Sequence, residues 1–378
     1  DEIKGLIDKL AESGSVTDVT LMGGEPTMRK DLEDVIGYCV QKGILTQIVS
    51  NGSPLTKSRI DSLLEAGNWG FTISIDGPTA ESYGYTRPYR FFPHLLKHVR
   101  YLSDRIHEIR DAGGPTHNLS INTIVHRKNR HEAPQMIDLA LDLRADSVSF
   151  MPITMPPDVE DQALTEWQRS YTLKLIPEAD EYIETGIAIG RRIDPRHNPD
   201  LANLDVGLKF LSPVVRDYLA VEYDIHLPLV AADCAAVTRI GSLNHDGTMV
   251  ICEAFDVHHE AVEVGAITAR PMDLRQQSFL DIWNSEPYQQ MFSWVYKQDI
   301  YNHMEPCYRC PHLYNICRPC PERAIALAAT GSSERFTMQP CHEIVHKAGD
   351  LYELRKRAEE FLGTPSNLEI AHAVARAN

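Results

Sequence analysis

The sequence has no long apolar run and a deficit of positive charge. No stretch of about 18 apolar residues, the length that a membrane-spanning helix needs, occurs anywhere in the 378-residue chain. Lys and Arg number 37 against 53 Asp and Glu, which gives a net charge of −16 at pH 7. Because nucleic-acid backbones are bound through basic surfaces, this balance argues against a nucleic acid as the main partner, and we also expect no membrane partner.

Signals for secretion and for a disulfide framework are also missing. The chain begins at Asp1 inside a helical pattern, without Met and without a signal-peptide pattern, so we expect its natural start to lie upstream. Seven of the eight cysteines lie between positions 234 and 341, which is unlike the small, dense framework of a secreted disulfide protein. A reducing cytoplasm with metal ligation is the better interpretation.

The first 155 residues alternate short apolar runs with amphipathic helical patterns. Strands are predicted at 18–22, 47–50, 71–76, 119–125 and 147–151, and helices lie between them. Thr56 is a predicted N-cap, while Gly43 and Gly67 are predicted helix ends. Repeated strand–helix units predict an α/β fold with a parallel sheet, either doubly wound or closing towards a barrel, whose chemistry lies at the carboxyl ends of the strands.

The remainder of the chain does not continue the regular strand–helix alternation. Helical patterns at 167–176 and 208–223, interrupted at 194–199, predict a helical connector, and 351–362 predicts a closing helix. We therefore expect four parts: a strand–helix domain at 1–158, the connector at 159–232, a cysteine-rich domain at 233–345, and a C-terminal helix and tail at 346–378.

Small polar residues follow several of the predicted strands. The first strand leads into Gly23-Gly24-Glu25-Pro26, where two glycines permit close backbone approach to a ligand. Taken alone, this is more often an ordinary turn with a solvated glutamate. Residues at or near the ends of the other strands favour one ligand-binding site there, which suits a ligand with amine, carboxylate and ribose groups. These residues are Ser50-Asn51-Gly52, Ser74-Ile75-Asp76-Gly77, Asn122 and Met151.

These motifs, with the cysteine-rich C-terminal part, resemble the radical S-adenosylmethionine (SAM) enzymes that carry a SPASM domain. The resemblance covers most of residues 1–345 and implies a partial (β/α) barrel, a helical connector and a small auxiliary-cluster domain. It implies that residues 23–26 hold the methionyl amine of SAM, and that Ser74 and Arg87 hold its carboxylate or neighbouring polar atoms. Further cofactor-binding positions are expected at Ser50, Asn51, Asp76, Asn122 and Met151.

The cysteine array resembles the seven-cysteine SPASM pattern, which binds two auxiliary [4Fe–4S] clusters. The resemblance implies one cluster on Cys307, Cys310, Cys317 and Cys341, and a second with ligands Cys234, Cys252 and Cys320 and an unnamed fourth. Six residues separate Cys310 from Cys317 and two separate Cys317 from Cys320, where the family commonly has five and three, so their division between clusters stays open. Structural zinc is the rival, although it would leave three thiolates unexplained.

The catalytic cluster motif of the family, CxxxCxxC, does not occur in this sequence. Cys39 is no substitute, because it lies on the apolar side of a helix with Val35, Ile36 and Val40 and is predicted to be a core residue. We expect the motif to lie upstream of residue 1; a degenerate enzyme that lacks it is the alternative.

Two other segments, Glu253 and residues 280–287, also have structural interpretations. Glu253, beside Cys252, resembles the position where sulfatase-maturating relatives carry a basic aspartate, so it is a candidate catalytic base; a solvated residue or a helix cap is the simpler interpretation. The segment 280–287, LDIWNSEP, is predicted to be a packing helix.

The resemblance implies a cytoplasmic oxidoreductase-type enzyme that cleaves SAM to a 5′-deoxyadenosyl radical. This radical would abstract hydrogen from a peptide or protein substrate, with a flavodoxin or ferredoxin as reductant and the auxiliary clusters handling electrons. A small-molecule substrate and a non-catalytic iron–sulfur electron-transfer or binding module remain alternatives.

Overall fold

The computed structural model describes residues 2–153, 166–194, 196, 198, 201, 203–229, 239–250, 262–264, 267–269, 272–289, 292, 306–317, 339–365 and 369. The chain forms two compact units. The first comprises Asp1–Met151 and Asn198–Gly207, and the second comprises Pro152–His197 and Leu208–Asn378.

A six-stranded sheet with its strands in sequence order organises the N-terminal part, and this confirms the predicted α/β fold class. The pairings β1–β2, β2–β3 and β3–β4 are parallel. The strands are β1 (Asp18–Leu21), β2 (Leu45–Ser50), β3 (Gly70–Ser74), β4 (Asn118–Val125), β5 (Ser147–Pro152) and β6 (Asp205–Leu208).

Helices connect the strands of this sheet. Thr56 caps α3 as predicted, since its side chain accepts a hydrogen bond from the backbone N–H of Arg59. Gly43 and Gly67 have positive φ angles just beyond their helices, as the sequence indicated. The helices are α1 (Glu2–Glu12), α2 (Leu32–Gln41), α3 (Lys57–Glu65), α4 (Ala80–Tyr83), α5 (Phe92–Asp111) and α6 (Ala133–Asp142).

The sequence reading missed β6 and placed a helix start too early. The predicted helix at 208–223 begins only at Pro213, where the Ser212 side chain accepts from the backbone N–H of Val215. Residues 205–208 form an edge strand instead, and Gly207 fits there because an added Cβ would lie 2.8 Å from Ser149 Oγ. Four residues that include Asp and Gly give almost no strand signal.

The two faces of the sheet differ sharply in polarity. One face is fully buried and drives folding, since burying each such side chain contributes about 1.5–3 kcal/mol. Its members are at most 1% exposed: Ile48, Phe71, Ile73, Leu119, Ile121, Val148 and Phe150. The opposite face is mostly polar, although Val49 and Ile124 also lie on it. Its polar members are half-buried apart from the buried Thr72, and they are Gln47, Thr72, Ser74, Ser120, Asn122, Ser147 and Ser149. The period-two alternation of β4 therefore places a polar surface inside the predicted partial barrel.

The second unit contains helices and short strands. Its helices are α7 (Glu166–Leu175), α8 (Ala179–Ile193), α9 (Pro213–Tyr223), α10 (Phe279–Trp283), α11 (Gln339–Ala348) and α12 (Leu351–Leu362). Ile282 of α10 is buried, consistent with the packing role predicted for segment 280–287. Its strands are β7 (Ser242–Leu243), β8 (Thr248–Val250), β9 (Val262–Val264), β10 (Ile267–Ala269) and β11 (Met272–Asp273). Across the described parts of both units, no helix has the length and apolarity to cross a membrane.

Candidate functional site

The loop after β1 is anchored by its glutamate. Glu25 Oε1 accepts hydrogen bonds from Ser50 Oγ at 2.8 Å and from Thr27, and Oε2 accepts from the backbone N–H of Asn51 at 2.8 Å. Gly23 and Gly24, with φ angles of +89° and +51°, lie exposed just before it. The carboxylate is therefore half-buried and committed to the protein, unlike the solvated side chain of an ordinary turn, and it holds the glycines in place.

Ser50 and Asn51 stabilise this loop from the end of β2. Ser50 is 2% exposed, and its hydroxyl both donates to Glu25 and accepts from the backbone N–H of Gly52 at 2.9 Å. Asn51 Oδ1 accepts from the backbone N–H of Ser53 at 2.9 Å. Ser50 alternates onto the apolar side of the sheet, so any influence it has on a cofactor acts through the position of Glu25.

Ser74 and Asn122 are brought together on the polar face. They are register partners on the parallel strands β3 and β4, so their side chains lie side by side near the carboxyl edge. Met151 alternates onto the same face as Ser147 and is 39% exposed. Sequence reasoning missed the polar residues further along this face, where Gln47 Nε2 donates to Thr72 Oγ1 at 2.6 Å. Their alternation with apolar residues was the available signal.

Asp76, which is buried, and Arg87, which is half-buried, form an ion pair beyond β3. Arg87 Nε lies 2.6 Å from Asp76 Oδ2, and Asp76 is 1% exposed. Asp76 Oδ2 also accepts from Thr86 Oγ1 at 3.0 Å, while Oδ1 accepts from the backbone N–H of Ile124 at 3.1 Å. Asp76 is thus an internal anchor between β3 and β4, and it fixes the Arg87 guanidinium at the carboxyl edge of the sheet.

Histidine 126 is a residue of this edge that sequence reasoning did not single out. It directly follows β4, is fully buried, and contacts the Tyr85 ring edge-on with centroids 6.0 Å apart. Asn129 anchors it, because Asn129 Oδ1 accepts from the His126 backbone N–H at 2.8 Å and Asn129 Nδ2 donates to the carbonyl of Asp76 at 2.7 Å. Its position as the first residue after a strand was the available signal.

Four of the seven cysteines in the array are described, namely Cys307, Cys310, Cys317 and Cys341. The other three, Cys234, Cys252 and Cys320, lie outside the described residues together with Glu253. None of the described cysteines forms a disulfide. Burial raises the pKa of the Cys341 thiol to about 12, and burial with the neighbouring Cys341 and Cys310 raises that of Cys307 further.

The thiols of Cys307, Cys310 and Cys341 are thus close enough to oppose one another's ionisation. In the described part of the chain, however, no group of three or more His, Cys, Asp or Glu side chains is disposed to hold a metal ion. Three neighbouring free thiols, two of them buried and that of Cys310 half-buried, are a donor set suited to an iron–sulfur cluster, which binds thiolates and removes their protons.

Helices of the second unit hold the cysteine loop at 306–317. His312 Nε2 lies 2.6 Å from Asp217 Oδ2 of α9, and Arg355 Nη1 of α12 donates to the Pro311 carbonyl at 2.6 Å. Ser212, the N-cap of α9, lies with its Oγ 3.0 Å from Cys341 Sγ on α11. These bonds position the described cysteines of this unit, whose thiols are free.

Cys39 is a core residue, as predicted. It is 1% exposed and packs with Ile7, Val35 and Ile44. Burial raises the pKa of its thiol to about 11, which keeps it protonated and unreactive at neutral pH.

Comparison with known proteins agrees with this architecture. The family model for the radical SAM superfamily matches residues 1–140, and the SPASM model, an iron-sulfur cluster-binding domain, matches residues 234–311. A PqqA peptide cyclase from Bradyrhizobium diazoefficiens is 31% identical over 150 residues, which are 39% of this chain and 36% of that protein. The match thus spans about a third of that relative's length.

Two longer matches extend into the second unit. A PqqA peptide cyclase from Methylobacterium sp. is 25% identical over 341 residues, covering 86% of this chain and 75% of the relative. The crystal structure of Streptococcus suis SuiB bound to S-adenosylmethionine is similar in fold, with a TM-score of 0.57 and 16% identity over 89% of this chain and 68% of SuiB. The chain therefore carries a radical SAM domain at residues 1–140 and a SPASM iron–sulfur cluster-binding domain at residues 234–311, as the two family models match them.

Proposed function

We propose that this protein is a radical SAM/SPASM enzyme that modifies a peptide or protein substrate. The observation that carries the proposal is the glycine turn at 23–24, whose neighbour Glu25 is anchored at the carboxyl end of β2, in a chain that matches both family models. A reduced [4Fe–4S] cluster, when bound, would supply the electron that cleaves SAM to a 5′-deoxyadenosyl radical, and this radical would abstract hydrogen from the substrate. The SPASM cysteines would hold auxiliary clusters, which would supply an acceptor for the substrate electron.

The protein's own residues bind and orient SAM in this proposal. The backbone of Gly23 and Gly24 receives the methionyl amine, because their open left-handed turn leaves room for close approach. Ser74 and the Arg87 guanidinium, which Asp76 holds in place, bind the carboxylate or neighbouring polar atoms. Asn122 and Met151 line the same face of the sheet.

Peptide chemistry is favoured because relatives from two organisms, one of them similar over 86% of this chain, are named as PqqA peptide cyclases. We further propose that a flavodoxin- or ferredoxin-type protein is the reductant. A cytoplasmic location follows from the same proposal, because thiolate ligands require reducing surroundings.

Deuterium transfer tests the substrate class. The natural full-length protein would be reconstituted anaerobically and incubated with SAM, dithionite and a deuterated version of a short peptide encoded beside its gene. Deuterium in 5′-deoxyadenosine and a matching mass loss in the peptide are expected. SAM cleavage without deuterium transfer would instead favour a small-molecule substrate, and intact SAM with fully loaded clusters would favour a non-catalytic iron–sulfur module.

A further inference from the structure

His126 presents a buried donor without a partner at the edge of the sheet. Its side chain is fully buried, and its Nδ1 accepts a hydrogen bond from the backbone N–H of Lys128 at 3.2 Å. In a neutral imidazole the nitrogen that accepts carries no proton, so the ring proton lies on Nε2. Nε2 makes no hydrogen bond to any residue that the structure describes. A buried N–H left without an acceptor carries a free-energy cost, so it calls for an explanation.

The neighbouring carboxylate does not provide the acceptor. Both oxygens of Asp76 are engaged, Oδ2 with Arg87 and Thr86 and Oδ1 with the Ile124 backbone. Burial lowers the pKa of His126 to about 4, against the opposing effect of Asp76, so the ring is neutral at pH 7. The residue presents one neutral N–H donor.

The orphan donor is also rigidly placed. The backbone N–H groups of Asn129 and Arg130 donate to the His126 carbonyl at 3.1 and 3.0 Å. Asn129 Nδ2 spans the carbonyls of Asp76 and Ile124 at 2.7 and 2.8 Å. The loop that carries His126 is thus tied to the ends of β3 and β4. It cannot rotate as a whole to bring Nε2 to an acceptor without breaking these hydrogen bonds.

We infer that His126 Nε2–H donates a hydrogen bond to an acceptor atom of bound SAM. This inference rests on the proposed function, because Asp76, whose carbonyl accepts from Asn129 Nδ2, holds Arg87 in the SAM site of that proposal. The Tyr85 ring lies edge-on to the histidine ring, with the two centroids 6.0 Å apart. His126 is a binding residue that would stabilise bound SAM without moving a proton.

Two amide substitutions separate the roles of the two ring nitrogens. His126→Asn retains an acceptor for the Lys128 N–H but cannot reach the Nε2 position. His126→Gln reaches that position with an amide donor. His117→Asn is the matched control, because His117 is a buried histidine at the opposite end of the same strand, with Nδ1 2.8 Å from the carbonyl of Asn68.

SAM affinity of the anaerobically reconstituted full-length protein is measured by equilibrium dialysis without peptide. We expect His126→Asn to weaken SAM binding about tenfold and His126→Gln to restore most of the affinity. His117→Asn should bind SAM like the wild type, and circular dichroism establishes that each variant is folded. Wild-type affinity in a folded His126→Asn protein overturns the inference but leaves the proposed function standing. Failure of the wild type itself to bind SAM overturns both.

Discussion

At the residue scale, the chemistry of this protein depends on how polar groups are buried. Glu25 and Asp76 accept several hydrogen bonds each and act as internal anchors. Both are predicted from the sequence to lie near the cofactor, and in the structure their carboxylates accept hydrogen bonds from protein groups. A motif identifies which residue follows a strand, whereas the direction of its side chain depends on partners distant in sequence, such as Ser50 for Glu25 and Ile124 for Asp76.

The buried histidine predicts a pH dependence of stability. The pKa of His126 is lowered from about 6.5 to about 4 in the folded state, chiefly by burial, with Lys128 adding to the effect and Asp76 opposing it. As the pH falls, the unfolded chain therefore binds the proton first. The contribution of the neutral His126 to the free energy of unfolding is complete above about pH 6.5 and is lost as the pH falls towards about 4. The total loss is about 3 kcal/mol.

Urea unfolding of the wild type and of His126→Asn between these pH values measures this effect. As the pH falls, the free energy of unfolding of the wild type should decrease more than that of His126→Asn. A difference that stays constant across the range would show that His126 does not titrate with a lowered pKa.

At the scale of elements, much of the sheet and its helices could be predicted, and the failures have physical causes. Five strands and the helix at 351–362 follow from periodicity and caps, because their apolar positions are numerous. The strand β6 is four residues long and pairs at the edge, so tertiary contact with β5 decides it. The polar face could also be predicted from the alternation of β4. The burial of the His126 side chain required the structure, because a loop closed through Asn129 places it.

Gly52 follows β2 and packs against Leu95 of helix α5, and it provides a second test. Its φ is +73°, and an added Cβ would lie 2.3 Å from Leu95 Cδ1. Gly52→Ala should therefore destabilise the protein by roughly 2–4 kcal/mol, combining backbone strain with overpacking. Gly113→Ala isolates the strain alone, since Gly113 has a φ of +72° with no atom near the added Cβ.

The free energy of unfolding in urea measures both glycine variants. Gly113→Ala should lose about 1 kcal/mol. Equal losses for the two alanines would show that contact with Leu95 is unimportant.

At the scale of the whole molecule, the two units are expected to carry different chemistry, SAM binding in the first and auxiliary clusters in the second. Cys341→Ala removes a buried thiol that neighbours Cys307 and Cys310, and it should reduce bound iron by about four atoms per chain, the content of one cluster. Cys39→Ala, a core cysteine of the first unit, should leave iron unchanged.

Iron, sulfide and zinc analysis after anaerobic reconstitution measures these variants. Unchanged iron in a folded Cys341→Ala protein would remove Cys341 from the ligand set. Stoichiometric zinc without sulfide in the wild type would establish a structural zinc site instead of clusters.

The most direct test of the central claim is the formation of 5′-deoxyadenosine. The full-length protein, reconstituted anaerobically with iron and sulfide, is incubated with SAM with and without dithionite, and the products are quantified by liquid chromatography with mass spectrometry. Radical SAM chemistry predicts 5′-deoxyadenosine and methionine in equal amounts, only with the reductant. Intact SAM in a reduced protein with fully loaded clusters would contradict it.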